Sequence, residues 1–374
     1  MTLADIQTPA VAVDRGRLFA NLDAMQADAA AHGVRVRPHA KTHKSPAVAA
    51  WQIARGAVGV CCAKVGEAEV FSDAGVEDIR IPYPVNPDNA ERILALMRRC
   101  RLSIIVDHPV VARRWSSAMT AAGATLDVLV KVDVGFHRCG IDPTGPTAVE
   151  FVRLVSALPG LGLRGLLSHA GHAYHAASED HLAAIAHAER DCLIELAERA
   201  GQVGVEIGEV SVGSTPTARF SLKEPGITEL RAGNYAYRDR TQVGLGSATL
   251  EQCALTIVAT VVSKPSPGRL VLDSGSKTLS TDGARGFTPL EGYGLVFSDL
   301  EANVPDPSLV VARLSEEHGV VTVDGGVSRL EPGDRVRVLP NHSCVVSNLV
   351  DHVYLVDGLR VVDRLPIAAR GRIT

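Results

Sequence analysis

The stretch LDVLVKVDVGFHRCG, residues 126–140, indicates the fold of this chain. Its first half is rich in Leu and Val, as expected of a strand that is buried on both faces. From Asp133 onward the composition changes to Gly, His, Arg and Cys, which suits a loop. A buried strand that ends in a polar, glycine-containing loop is typical of the parallel strands of an α/β fold.

The same pattern recurs along the chain and is separated each time by a segment of helical periodicity. Helical segments, with apolar residues every three or four positions, include residues 65–74, 109–121, 147–158 and 179–200. Eight strand–helix units predict a (β/α)8 TIM barrel, in which the catalytic groups lie at the C-terminal ends of the strands. The eight predicted strands are VRVRPHAKTH (34–43), VGVCCA (58–63), DIRIPYPV (78–85), RLSIIVD (101–107), LDVLVKVD (126–133), LGLRGLLSHA (161–170), EIGEVSVGS (206–214) and ITELRAGNY (227–235).

The pattern changes after residue 239 to strand-like stretches without long helices, such as residues 333–346. Pro, Gly and Asp punctuate these stretches, which favours a β-rich C-terminal domain. We therefore predict a barrel at residues 8–239 and a β-rich domain at residues 240–374. The opening strand at residues 9–14 precedes the first strand–helix unit and is a candidate strand of the second domain.

The composition favours a globular protein that acts on small molecules. The 374 residues are 46% hydrophobic and 21% charged, with a net charge of −4. No basic stripe favours nucleic acid, and no apolar run approaches the ~20 residues that cross a bilayer, so we expect neither partner. The first residues lack a signal-peptide pattern, so we expect a cytoplasmic protein. The seven cysteines include no C-x-x-C pair, which argues against a disulfide framework.

A candidate catalytic lysine, Lys41, ends the first predicted barrel strand in RPHAKTHKSP. It lies among Arg37, His39, His43 and Lys44, and neighbouring cations and partial desolvation both lower the pKa of a lysine. A lysine that forms a Schiff base must lose its proton near neutral pH, so this setting favours such chemistry. A solvated basic rim or an anion site is the alternative interpretation.

A candidate phosphate site follows the last two predicted barrel strands. VSVGSTPT supplies Gly213, Ser214 and Thr215, and RAGNY supplies Gly233 and Asn234. Their backbone N–H groups and hydroxyls fall where barrels commonly bind a phosphate. Each Gly-Ser pair alone would indicate only a turn.

Seven motifs in order carry a resemblance to a known family: RPHAKTHKSP, DVGFHRCG, SHAGHAY, VSVGSTPT, RAGNYAY, SEEHG and PNHSC. Together they resemble the D-serine dehydratase and D-threonine aldolase family of fold-type III pyridoxal 5'-phosphate (PLP) enzymes, which share the alanine racemase fold. The resemblance implies that Lys41 carries PLP and that the residues of the candidate phosphate site bind its phosphate. It implies that Arg138 and Arg231 face the pyridine ring or the substrate carboxylate, without deciding which does which. It also places His169 and Tyr174 beside the ring, as packing or proton-relay groups.

His342 and Cys344 form an H-x-C pair inside PNHSC. Residues two apart on a strand point to the same face, so on a strand this pair could hold one metal ion. The resemblance implies a divalent cation here, with the substrate β-hydroxyl as a further ligand. Dehydratases of the family have His and Cys, as this chain does, whereas aldolases have His and Asp. A thiolate favours zinc over manganese or magnesium.

These features lead to a hypothesis of function. The chain is expected to be a PLP- and metal-dependent lyase that dehydrates β-hydroxy-D-amino acids, such as D-serine or 3-hydroxy-D-aspartate, to an α-keto acid and ammonia. The main alternative is retro-aldol cleavage of the D-threonine aldolase type, which gives glycine and an aldehyde. An amino-acid racemase and a non-catalytic PLP-binding protein are further alternatives. The resemblance also implies a homodimer.

Overall fold

The structure is a computed structural model that describes residues 1–374. The chain begins with strand β1 (Ala10–Asp14), and helix α1 (Arg15–Ala31) follows without a loop. Asp14 starts this helix because its carboxylate accepts a hydrogen bond from the backbone N–H of Arg17 at 2.8 Å. Eight short strands come next: β2 (Arg35–Val36), β3 (Val60–Cys61), β4 (Asp78–Pro84), β5 (Arg101–Val106), β6 (Leu126–Lys131), β7 (Leu161–Leu167), β8 (Glu209–Val212) and β9 (Glu229–Leu230).

These eight strands form one parallel sheet in the order β2-β9-β8-β7-β6-β5-β4-β3. The two ends of the sheet meet, because a parallel bridge joins His39 to Cys61 and the Cys61 N–H donates to the Pro38 carbonyl at 2.8 Å. The barrel predicted from the sequence is confirmed, and each predicted strand contains one of its strands.

Helices surround the barrel and follow its strands. Their first turns carry the expected signals, such as proline in the first turn of the helices that begin at Pro46 and Pro109. The helices are α2 (Pro46–Ala54), α3 (Val65–Asp73), α4 (Ala90–Met97), α5 (Pro109–Ala121), α6 (Ala148–Ala157), α7 (Glu179–Gln202), α8 (Ala218–Ser221) and α9 (Arg240–Gly244). None of the helices in the structure is long and apolar enough to span a membrane.

The barrel interior has an apolar layer and a charged cluster. Ile105, Leu129 and Leu167 pack together at 0–1% exposure. The charged cluster is centred on buried Glu229, whose carboxylate contacts Arg80 and accepts a hydrogen bond from Arg37 Nε at 2.8 Å. These two guanidinium groups outweigh the desolvation of Glu229 and lower its pKa. The interior is therefore packed, and side chains that serve the mouth of the barrel rest on this cluster.

The rest of the chain forms a second, antiparallel domain. Strand β10 pairs with both β11 and β15, so six strands close into a small barrel. β1 pairs with β10 and β16, and so the first strand of the chain lies in this sheet. The strands are β10 (Leu255–Ser266), β11 (Arg269–Leu272), β12 (Leu295–Phe297), β13 (Leu309–Leu314), β14 (Gly319–Val323), β15 (Arg335–Leu339), β16 (His352–Asp357) and β17 (Arg360–Pro366).

The prediction that His342 and Cys344 lie on a strand is wrong. Strand β15 ends before Pro340, which has no N–H to continue the ladder. Helices α10 (Ser276–Leu279) and α11 (Ser343–Leu349) lie in this domain, with His342 as the N-cap of α11 and Cys344 in its first turn. Buried Asp239 supports the start of α11, because its carboxylate accepts from the Ser343 N–H at 3.0 Å.

Candidate active site

A cavity of about 470 Å³ lies at the C-terminal ends of the barrel strands, between the barrel and the second domain. Eleven of the twelve residues singled out from the sequence line it: Lys41, Arg138, His169, Tyr174, Ser214, Thr215, Arg231, Gly233, Asn234, His342 and Cys344. The twelfth, Gly213, borders it, because its carbonyl accepts a hydrogen bond from the imidazole of His169 at 2.7 Å. The structure thus brings together residues that are up to 303 positions apart, from 41 to 344.

Lys41 lies in the short helical turn Ala40–Thr42 that follows β2. Its side chain is accessible to solvent inside the cavity, but protein surrounds the cavity, so the amine is poorly solvated. This burial lowers the pKa of Lys41. The negative charge of Cys344 opposes the shift, whereas the positive charges of Arg138 and Arg231 act in the same direction as burial. A neutral amine is therefore easier to reach here than on the surface.

The basic residues next to Lys41 in sequence do not provide these charges. Arg37 pairs with Glu229 and Asp78, and Lys44 Nζ lies 3.1 Å from the Glu67 carboxylate. Burial lowers the pKa of His43 to about 4, which keeps that imidazole neutral at pH 7. The expectation that sequence neighbours supply the cations is wrong, since the charged groups of other strands face Lys41 instead.

The two candidate arginines differ in burial and in support. Arg231 is buried at the end of β9, where its Nε donates to the Ser211 hydroxyl at 2.8 Å and its Nη2 contacts the Ser168 carbonyl. Ser211 donates in turn to Glu229 at 2.7 Å, which connects Arg231 to the charged cluster in the barrel. Arg138 is exposed, and its guanidinium lies over the Phe136 ring at 5.3 Å. Arg231 is therefore rigidly held, and Arg138 lies at the cavity mouth.

The ends of β8 and β9 present backbone N–H groups that have no acceptor in the protein. The N–H groups of Ser214, Thr215, Gly233 and Asn234 form no hydrogen bond, although these residues are buried or line the cavity. Such orphaned donors are rare and indicate an anion site. Gly233 must be glycine, because a Cβ there would lie 2.7 Å from the His39 carbonyl oxygen. The donor set fits a phosphate.

His169 and Tyr174 lie in the loop after β7. Burial, together with the charge of Lys41, holds the pKa of His169 well below its usual range, so the imidazole is neutral. A carbonyl can only accept, so the bond to Gly213 places the proton on Nδ1 and leaves Nε2 as an acceptor. Burial raises the pKa of Tyr174, so its phenol stays protonated.

His342 and Cys344 lie on the second-domain side of the cavity. The Cys344 Sγ is 3.2 Å from Oγ1 of Thr42, the residue that follows Lys41 in the chain. Burial alone would raise the pKa of the Cys344 thiol, but the hydrogen bond and charge of His342 lower it. Asp282 Oδ2 lies 2.6 Å from His342 Nδ1, and a carboxylate in this position orients a metal-binding imidazole.

The donors fit a metal ion with open coordination positions. Imidazole and thiolate are ligands that zinc prefers, and no third His, Cys, Asp or Glu joins them in ligating geometry. A metal held by two side chains would keep positions for water or substrate. The same face of the site is tied to the barrel through Asp239, which accepts from Asn234 Nδ2 at 2.6 Å and from the Ser343 N–H.

Sequence reasoning missed several residues that line the cavity. Lys131 ends β6, and its buried amine donates to the Val132 carbonyl at 3.0 Å, with burial lowering its pKa to about 8. A lysine within an apolar strand was a signal that could have found it. Asp239, Asp282 and Arg285 also line the cavity. Asp239 follows the eighth predicted strand by four residues, whereas Asp282 and Arg285 follow no predicted barrel strand and belong to no motif.

The fold and the cavity define a barrel enzyme whose active site lies between the strand ends and a β-domain. The alanine racemase N-terminal domain family matches residues 13–241, and a serine dehydratase domain family matches residues 254–356. The chain belongs to the D-serine dehydratase and D-threonine aldolase family of fold-type III PLP enzymes, which has the alanine racemase fold.

Individual relatives cover nearly the whole chain. A D-threonine aldolase of Arthrobacter sp. is 34% identical over 99% of this chain and 94% of its own length. A D-threo-3-hydroxyaspartate dehydratase of Delftia sp. is 35% identical over 92% of both chains, and its structure superposes with a TM-score of 0.92 over 98% of both. The structure of a D-threonine aldolase from Filomicrobium marinum is 33% identical, with a TM-score of 0.90 over 100% of this chain and 98% of that one. The relatives therefore include both lyase types.

Proposed function

We propose that this chain is a PLP- and metal-dependent lyase that dehydrates β-hydroxy-D-amino acids to an α-keto acid and ammonia. One observation carries the proposal: the candidate cofactor lysine and a His–Cys pair share one cavity. Thr42, next to Lys41, contacts the Cys344 sulfur at 3.2 Å. A base and a metal-held leaving group would thus act on neighbouring carbons of one substrate.

Lys41 is the residue that we assign to covalent attachment and to proton transfer. When bound, PLP supplies an electron sink that stabilises negative charge at the substrate Cα. The lowered pKa of Lys41 increases the fraction of its amine that is neutral, which makes its Nζ a better proton acceptor than a surface lysine. With PLP and substrate bound, this Nζ would be the group that takes the proton from the substrate Cα.

The two arginines take different positions in this proposal. Arg231 is buried and held by Ser211 and Ser168, so we assign it to the pyridine nitrogen, where a fixed cation opposes protonation. Arg138 lies at the mouth and has no carboxylate partner, so we assign it to the substrate α-carboxylate. The phosphate would accept from the unpaired N–H groups of Ser214, Thr215, Gly233 and Asn234, with Gly213 completing the turn.

His169 and Tyr174 would border the ring. His169 is neutral and held by the Gly213 carbonyl, which suits a packing group that can accept a proton at Nε2. Tyr174 keeps its proton, so it can donate a hydrogen bond inside the cavity.

His342 and Cys344 would hold the divalent metal ion, and zinc is favoured over manganese or magnesium because one ligand is a thiolate. When bound, the metal supplies Lewis acidity that makes the substrate β-hydroxyl a better leaving group. A D-threo-3-hydroxyaspartate dehydratase has been solved as a cysteine-to-alanine variant in a metal-free form, which supports a metal role for the cysteine in that relative. By resemblance we further propose a cytoplasmic homodimer.

Retro-aldol cleavage is the second candidate, and the 34% identity to the Arthrobacter D-threonine aldolase favours it. In that reaction a base takes the proton of the β-hydroxyl, and the Cα–Cβ bond breaks to give glycine and an aldehyde. The same cofactor and metal serve both routes. Cys344 favours dehydration by resemblance, because a His–Cys pair is the pattern that the resemblance associates with the dehydratases of the family.

Product identification separates the two reactions. We expect the holoenzyme to convert D-threonine to 2-oxobutanoate and ammonia, and to leave L-threonine unchanged. Glycine and acetaldehyde would instead establish the aldolase. Chelation should remove the activity without removing the absorbance of lysine-bound PLP, and full turnover without metal would contradict the assigned role of His342 and Cys344.

A further inference from the structure

Two cations in the cavity, Lys131 and Arg285, have no task in the proposed mechanism. Lys131 is buried and its amine donates to the Val132 carbonyl at 3.0 Å, which leaves Arg285 as the one of the two without a partner. Arg285 lines the cavity, and its guanidinium forms neither a hydrogen bond nor an ion pair with the protein. It is exposed, in the loop between α10 and β12. An unpaired guanidinium that faces a substrate cavity is suited to bind a carboxylate in a bidentate manner, through two parallel N–H···O hydrogen bonds.

The backbone that carries Arg285 is held in place. Its own N–H donates to Thr241 Oγ1 at 3.2 Å, and the next turn is fixed by a bond from the Phe287 N–H to the Gly244 carbonyl at 3.0 Å. Gly244 and Gly286 meet so closely that a Cβ on Gly286 would lie 3.0 Å from Gly244 Cα. The loop is therefore fastened to α9, and the start of the Arg285 side chain has a defined position.

The loop also determines which part of a substrate Arg285 would meet. Asp282, three residues earlier, contacts His342, one of the two residues assigned to the metal and hence to the β-hydroxyl. A second group on the same Cβ would lie next to that hydroxyl. Arg285 is thus on the side of the cavity that faces substituents of Cβ, whereas Arg138 lies on the barrel side.

The charges of the cavity leave room for an extra anion. None of its lysines and arginines pairs with a carboxylate of the protein, and only two carboxylates line it, Asp239 and Asp282. Both carboxylates are already engaged, with Asn234 and His342 respectively. In the proposed mechanism the substrate α-carboxylate pairs with Arg138 and the PLP phosphate with backbone N–H groups, so neither anion is assigned to Arg285. The five cations of the lining are Lys41, Lys131, Arg138, Arg231 and Arg285.

We propose that Arg285 binds a carboxylate on the substrate Cβ, so that the enzyme prefers dicarboxylic β-hydroxy-D-amino acids, such as 3-hydroxy-D-aspartate, over D-serine and D-threonine. The inference rests on the proposed function, which sets how the substrate is oriented in the cavity. Arg285 is a specificity residue in this assignment and takes no part in bond cleavage.

The kinetic test compares kcat/KM for 3-hydroxy-D-aspartate and D-serine in the holoenzyme. Arg285→Gln should lower the value for the dicarboxylate by roughly 10- to 100-fold, the scale of one charge-assisted pair, and leave that for D-serine within about twofold. Arg285→Lys should restore part of the lost kcat/KM, because an ammonium returns the positive charge but lacks the two parallel N–H donors of a guanidinium. Arg313→Gln is the matched control, since Arg313 is exposed in the second domain, outside the cavity and unpaired. Equal losses for both substrates would overturn the proposal.

A binding experiment tests the role of Arg285 without requiring any lyase activity. D-aspartate and D-alanine lack a β-hydroxyl and cannot be dehydrated, but each can be titrated against the holoenzyme by the absorbance of bound PLP. The parent protein should bind D-aspartate more tightly, and Arg285→Gln should abolish that preference while Arg313→Gln keeps it. A preference that survives in Arg285→Gln, or a loss of PLP from this variant, would overturn the proposal. If no substrate is dehydrated but this preference follows Arg285, only the proposed reaction fails.

Discussion

The two sides of the cavity are built differently. The barrel wall, which consists of Lys41, Arg231, Ser214 and Gly233, stands on strand ends, and Arg231 reaches the buried charged cluster through Ser211. The second-domain wall, which consists of Asp282, Arg285, His342 and Cys344, comes from one long loop and the first turn of α11. Asp282 and Arg285 are exposed, whereas Arg231 is buried. From this difference we propose that the barrel wall holds the cofactor and that the second-domain wall selects the substrate and the reaction.

The largest effect that this division predicts comes from Lys41. Lys41→Ala should lower kcat/KM by at least ~10³-fold, the scale of losing a catalytic base, because it removes both the covalent link and the proton acceptor. The absorbance of lysine-bound PLP should disappear with it. Borohydride reduction and peptide mapping of the parent protein should find the modification at Lys41.

Lys223→Ala is the control for that variant, since Lys223 is an exposed lysine outside the cavity. It should keep both the absorbance and the turnover. Retention of the absorbance in Lys41→Ala would remove the basis for the barrel wall as the cofactor side.

A smaller effect should follow from replacing Asp282, and it tests whether the two walls of the cavity have separate roles. Asp282→Asn weakens the hydrogen bond that orients His342, so we expect zinc affinity to fall by roughly 10- to 100-fold, the usual effect of losing such a partner. Calorimetric titration of the metal-free protein measures this affinity. PLP content and absorbance should not change, because the residue lies on the other wall. A parallel loss of PLP would show that the two walls are not separable.

The smallest predicted effect is a fall in stability at acidic pH that comes from the His43 imidazole. Burial lowers the pKa of His43 to about 4, whereas an unfolded histidine titrates near 6.5. Between these values the unfolded chain binds the proton and the native protein does not, so stability falls as pH is lowered through this window. The contribution of His43 should be up to ~1.4 kcal/mol per pH unit.

Urea unfolding between pH 7 and pH 5 measures this slope. His43→Asn removes the titrating group and keeps a small polar side chain near Ser45 and Gln52, so its stability should depend less on pH than that of the parent protein. Parallel pH profiles of the two proteins would show that His43 is not the source.

The same division explains what the sequence could predict. The barrel fold and its wall could be predicted from the sequence, because buried strands have a recognisable pattern and the C-terminal ends of parallel strands meet at one end of a barrel. This rule placed Lys41, Ser214 and Arg231 in one site. The H-x-C pair was found by residue type, but its setting was wrong, since Pro340 ends the strand and a helix begins at Ser343. Asp282 and Arg285 were missed because their loop has no period. Tertiary contacts bring that loop to the site, among them the packing of Gly286 on Gly244 and the hydrogen bond from the Arg285 N–H to Thr241.

The buried carboxylate of Asp239 joins the two walls of the cavity. It accepts hydrogen bonds from Asn234 at the end of a barrel strand and from the Ser343 N–H at the start of α11. If Cys344 is a metal ligand as proposed, a change at that position would alter the metal site while this link between the walls stays in place. One buried acid would in this way let the metal ligands diversify on an unchanged scaffold.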